Sequence, residues 1–175
     1  MKTIKADPVS YSDTTRDRKQ IEYIVIHNTG NKGDTAEANA KYFANGNIRS
    51  AGAHFFIDQK GNVYKSVNLN RTAWAVGGNK WDDCKKTGGG KLHGVAHNFN
   101  SVSIELCDII DREPSEEMMQ AVWRTIKYIR RWCPNAQNII RHFDVNGKHC
   151  PQAMMEQEAW NKFQLRLLSI AMKNP

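Results

Sequence analysis

Short apolar runs, separated by polar and glycine-bearing connectors, set the plan of this chain. Ile21-Glu22-Tyr23-Ile24-Val25-Ile26 is a β-branched run and predicts a buried central strand that delivers His27 to its C-terminal end. Asp34-Thr35-Ala36-Glu37 reads as a capping box with Asp34 as N-cap, opening a helix to about Ala44 that stops near Asn45-Gly46. His54 to Asp58 and Asn62 to Val67 flank Gln59-Lys60-Gly61, the pattern of a β-hairpin. Ser101 to Cys107 alternates in part and predicts another strand. Ser115 is a good N-cap, with Glu116 and Glu117 in the electropositive first turn. Met119, Val122, Ile126 and Ile129 then recur at helical spacing, and Arg130 and Arg131 suit the helix end. Asn138 to Arg141 predicts a short strand. Trp160, Phe163, Leu167 and Ile170 form the apolar stripe of a last helix, about 156–172.

Strands interleaved with helices predict an α/β fold, a central mixed β-sheet flanked by helices in a single domain spanning 1–175, with its core at about 21–151. Two stretches lack periodicity. Residues 1–20 are polar and are expected to wrap the surface. Gly77 to Asn100 holds six glycines, and so long a connection in a compact domain is usually functional or disordered.

Composition narrows the class. A chain of 175 residues with 40% hydrophobic and 25% charged content can bury a sizeable core. No apolar stretch is long enough to span a bilayer, so stable membrane insertion is not expected. The N-terminal residues lack the apolar segment of a secretory signal, which predicts a protein made in the cytoplasm without a signal peptide. Cys84, Cys107, Cys133 and Cys150 are too sparse and irregular for a disulfide framework. A net charge of +7 suits an anionic partner. The basic residues are dispersed and no nucleic-acid motif is present, so nucleic acid is not expected among the partners.

The chemistry concentrates in Arg141-His142-Phe143-Asp144-Val145-Asn146-Gly147-Lys148-His149-Cys150-Pro151. His142 and Cys150 are joined by a short glycine-containing loop, and His27 offers a second imidazole from far upstream. Two imidazoles and one thiolate make three protein ligands, the number a catalytic zinc site uses while its fourth position takes water. A thiolate also argues against magnesium and calcium, which prefer oxygen. Taken singly, His27 reads as a polar strand end and Cys150 as a small buried hydrophobe; their combination with His142 carries the metal reading. His93, His97 and His149 are not expected to be ligands. Trp123 and Trp160 read as core or near-core by helical spacing.

His27 after a strand, then Glu105, then His142, Lys148, Cys150 and Pro151 in this order resembles the zinc-dependent N-acetylmuramoyl-L-alanine amidases. That family includes bacteriophage endolysins and animal peptidoglycan recognition proteins. Ala53-His54-Phe55-Phe56-Ile57-Asp58 and Ala73-Trp74 add to the likeness, and Ser101 to Glu105 resembles endolysins of Gram-positive phages. The resemblance implies Zn2+ held by His27, His142 and Cys150, with Glu105 and Lys148 in catalysis. It implies a monomer that cleaves the amide between N-acetylmuramic acid and L-alanine of bacterial peptidoglycan, acting on the cell wall after release. Trp74 and His54 are candidates for substrate binding, His54 also reading as a hydrogen-bonding residue of the hairpin. Some members carry a tyrosine where this chain has Ala53, so more of the proton transfer would fall to Glu105. The alternatives are a peptidoglycan-binding module of the same fold that does not cut, and a bacterial autolysin.

Overall fold

Side-chain alternation on the middle strands decides which face of the sheet carries the core and which carries chemistry. The computed structural model describes residues 1–174. Among them six strands form one sheet: β1 (Lys2–Thr3), β2 (Tyr23–Asn28), β3 (Phe55–Ile57), β4 (Val63–Lys65), β5 (Ser101–Leu106) and β6 (Asn138–Arg141). Their spatial order is β1-β4-β3-β5-β2-β6. Neighbours are parallel except in the β3–β4 hairpin, so the sheet is mixed and the α/β expectation holds. The helices are α1 (Ala36–Ala44), α2 (Cys84–Thr87), α3 (Glu116–Trp132), α4 (His142–Asn146) and α5 (Gln157–Lys173).

Ile24 and Ile26 of β2 and Val102, Ile104 and Leu106 of β5 share one buried cluster with α3 and α5. From α3 come Met118, Met119, Val122, Ile126 and Ile129, and from α5 Trp160, Phe163, Leu167 and Ile170. Each large side chain buried there stabilises the fold by about 1.5–3 kcal/mol. Val25 lies in a different cluster, with Val76, Ala96 and Val145, because successive strand residues point to opposite faces. His27, two residues on, shares the Val25 face. Register pairs Glu105 with His27 on one side and with Phe56 on the other. Phe56 packs under α1 against Ala36 and Ala40. The face turned away from α3 and α5 therefore holds His27 and Glu105 between α1 and the chain around Val76 and Val145.

Four local expectations need correction. Thr35, not Asp34, is the N-cap of α1, its hydroxyl accepting from Ala38 N–H at 3.2 Å. Asp34 instead accepts from the Asn39 amide, and Glu37 pairs with Lys41 and the Tyr64 hydroxyl. The first twenty residues do more than coat the surface: Lys2–Thr3 adds an edge strand beside β4. Arg16 ties that segment down by donating to the carbonyls of Leu69, Asn98, Phe99 and Ser101. Residues 77–100 are not structureless, since they contain α2 and a 3-10 turn at Asn98–Asn100. The loop expected after β6 opens as α4, with His142 as its first residue.

Trp160 is buried in the core, whereas Trp123 is only partly buried at its edge. No helix among the described residues is long and apolar enough to cross a membrane.

Candidate metal centre and its surroundings

β2, α4 and the loop that follows α4 bring three buried side chains to one point. His27 (2% exposed), His142 (3%) and Cys150 (4%) place one ligand atom each within 4.8 Å of one another. Cys150 Sγ is 3.8 Å from His27 Nδ1. Tetrahedral zinc with ordinary nitrogen and sulfur bond lengths sets such atoms about 3.3–3.8 Å apart, so the cluster closes on an ion with small adjustments. The buried polar atoms support the same fit. Both ring nitrogens of His142 and Nε2 of His27 lack a hydrogen-bond partner, which burial makes costly unless something else satisfies them.

The polypeptide around His142 holds the ligands firmly. Arg141 donates to Asp144 and to the carbonyls of Met154 and Met155, fixing the start of α4. Phe143 N–H donates to Cys150 O at 2.8 Å, closing the loop between the two ligands. Gly147 ends α4 at φ 88°, and a Cβ there would run into the Cys84 sulfur; only glycine meets both demands. Asn28 N–H donates to Cys150 Sγ at 3.4 Å.

Electrostatics keep the imidazoles neutral, as ligands must be. Burial, then the charge of Lys148, lowers His142 to about 3. Burial, His142 and Lys148 hold His27 well below the ordinary histidine range. Burial first, then Glu105, pushes the Cys150 thiol up to about 12; a bound cation reverses that preference and draws out the thiolate.

Glu105 stands beside the cluster, with Oε1 4.0 Å from His27 Nδ1 and Oε2 buried without a partner. Burial raises its carboxyl to about 7, with Lys148 opposing and Asp34 assisting. Lys148 itself is exposed at the rim. A cleft of about 360 Å³ is lined by Glu105 together with Thr29, Asn39, Tyr42 and Arg49.

The structure does not bring every candidate to this point. His54 is fully buried, its Nδ1 accepting from Ser103 N–H at 3.1 Å and its Nε2 lying 3.1 Å from Arg71 O and 2.9 Å from Arg16 Nη2. It is a structural link between β5 and the segment after β4, not a surface for substrate. Trp74 is partly buried, its ring edge-to-face with Phe99 at 6.2 Å. His93 and His97 are exposed, and His149 pairs with Asp83. Sequence reasoning missed Asn28, whose only sign was its place after His27. It also missed Asp34 as a neighbour of Glu105 and Cys84 as the backing of Gly147, because those contacts are made across the fold.

Two histidines and a cysteine, set together at the carboxyl end of a parallel strand with a carboxylate beside them, define an α/β domain with a candidate metal site. Family comparison is more specific. The sequence model described as N-acetylmuramoyl-L-alanine amidase matches residues 17–153, and the chain belongs to that family.

Relatives from Bacillus subtilis (strain 168) include N-acetylmuramoyl-L-alanine amidase CwlH, 28% identical over 167 residues, covering 93% of this chain and 60% of that protein. N-acetylmuramoyl-L-alanine amidase CwlA is 30% identical over 147 residues, covering 81% of this chain and 47% of its own length. The chain thus spans about half the length of these relatives. Solved structures share the fold: PlyL (TM-score 0.72, 20% identity, 95% of this chain and 96% of that one) and the catalytic domain of XlyA (0.70, 22%, 95% and 97%).

Proposed function

We propose that this domain is a zinc-dependent peptidoglycan amidase that hydrolyses the bond between N-acetylmuramic acid and L-alanine, in the setting of a phage or prophage endolysin. The observation that carries the reading is the convergence of His27, His142 and Cys150 beside Glu105, in a chain of the amidase family. Zinc, when bound by these three side chains, supplies Lewis acidity that polarises the amide carbonyl and brings the pKa of bound water to about 7.

The protein's own groups do the rest. Glu105 Oε2, unpartnered and poised near neutrality, takes a proton from the attacking water and later passes it to the leaving alanine nitrogen. The Lys148 ammonium faces the oxyanion that develops as the carbonyl is attacked. With alanine at position 53, buried at 1% exposure, no phenol is available there to share this work. The cleft beyond Glu105 gives the peptide a path away from the scissile bond.

Purified cell walls provide the test. Digestion should release new alanine amino termini without new reducing sugar ends, and the active protein should carry one zinc per chain. Stoichiometric zinc with no alanine termini released would sink the amidase reading.

A further inference from the structure

Trp81 keeps 43% of its surface exposed on a main chain that cannot move freely. Its N–H donates to Asn146 O at 2.8 Å, and a Cβ at Gly147 would sit only 3.3 Å from its own Cβ. The indole lies 5.1 Å from the His149 ring at a tilt of 37°. His149 is itself pinned, with Nε2 2.8 Å from Asp83 Oδ2, and is 44% exposed. Two aromatic rings thus form a braced shelf open to solvent. Such supports supply contact area at little cost in entropy.

Position gives the shelf its meaning. His149 lies between Lys148 and the ligand Cys150, on the α4 side of the site. The cleft toward Arg49 leaves from Glu105 on the opposite side, over β3 and α1. Strand order sets β2 and His27 between the two, since β6 flanks β2 on one edge and β5 and β3 lie on the other. An amide held at the ligands must send its acyl half one way and its amine half the other. In the substrate proposed above, the acyl half carries a pyranose and the amine half a peptide with carboxylates. A pyranose presents a face of C–H groups, which stacks on the electron-rich face of an indole. Carboxylates suit the guanidinium of Arg49, which lines that cleft.

We propose that the Trp81–His149 shelf takes the sugar ring of the glycan strand on the acyl side of the scissile amide, and so selects sugar-bearing substrates over sugar-free ones. This rests on the amidase reading.

The test compares two substrates sharing one scissile bond: an N-acetylmuramoyl pentapeptide and the same pentapeptide carrying only a D-lactoyl group. Trp81→Ala should lower the preference for the sugar-bearing substrate, as a ratio of kcat/KM, by about tenfold and through KM. Trp81→Phe should retain most of the preference. Peptide-free glycan strands should quench tryptophan fluorescence in the wild type and not in Trp81→Phe. Equal losses on both substrates would make Trp81 a mere brace of the 142–150 segment and overturn the proposal, as would an unchanged ratio. Failure of the wild-type zinc protein to cut either substrate would overturn the amidase reading, and the shelf with it.

Discussion

Replacing Glu105 by glutamine should cost the protein its activity and give it stability. An ordinary glutamate titrates at 4.5, and Glu105 at about 7, chiefly because burial opposes its charge. That gap corresponds to about 3 kcal/mol of unfavourable burial of the anion. The side chain keeps 20% of its surface exposed, so water relieves part of the cost and about 1–2 kcal/mol is the expected gain. Glutamine has the same shape and needs no deprotonation.

The pH window follows from the direction of the shift. Between 4.5 and about 7 the folded state holds a proton that the unfolded state has released, so wild-type stability falls as pH rises through that range. Urea unfolding of the metal-free protein, in chelator, should therefore show Glu105→Gln more stable than wild type at pH 8. At pH 4, where both side chains are neutral, the two should differ little. Zinc-loaded Glu105→Gln should keep its metal, because Oε1 at 4.0 Å from His27 Nδ1 is a neighbour of the ligand set. Its turnover of cell walls should fall at least about a hundredfold. A variant no more stable at pH 8, or equally favoured at pH 4, would refute the claim that this carboxylate is held in an environment hostile to its charge.

Cys150→Ser should weaken zinc binding by at least about a hundredfold in chelator competition, while circular dichroism reports an intact fold, since the main-chain bond from Phe143 N–H to Cys150 O remains. His54, lowered to about 3 by burial and then by the charge of Arg16, stays neutral when folded while the unfolded chain takes up a proton below 6.5. Its contribution is thus complete above that pH and is lost on acidification. His54→Asn, which keeps an acceptor for Ser103 N–H, should remove about 2 kcal/mol of the stability difference between pH 6.5 and pH 5 in the metal-free protein; an unchanged difference would count against it. Ser115→Ala removes the cap on Met118 N–H and a 2.5 Å bond to Gln59 O, and should cost about 1–2 kcal/mol, read as a drop in Tm of about 3–6 °C.

What could be read from the sequence follows how far each signal travels along the chain. The strand through Ile24 and Ile26, the α3 stripe and the Ser115 cap are written within a few neighbouring residues, because periodicity and capping are local physics. The ligand loop is similarly short, so His142, Gly147 and Cys150 stand out together. Residues 77–100 lacked any such period, because their order comes from elsewhere. Gly90 N–H and Leu92 N–H donate to the carbonyls of Phe143 and Asp144, Trp81 N–H to that of Asn146, and the Asn146 amide to Gly77 O.

These bonds reach across more than fifty residues and leave no repeating mark on the segment that makes them. They also explain why a glycine-rich stretch is ordered here: its main-chain donors are satisfied by the same short helix that presents His142. The segment is therefore a buttress of the ligand loop. Loosening it, for example at Gly89, where a Cβ would meet the Phe143 ring and Gly147 Cα, should disturb metal affinity before it disturbs the α3–α5 core. Zinc dissociation measured beside global unfolding for Gly89→Val would separate the two, and equal sensitivity of both would show that buttress and core are one cooperative unit.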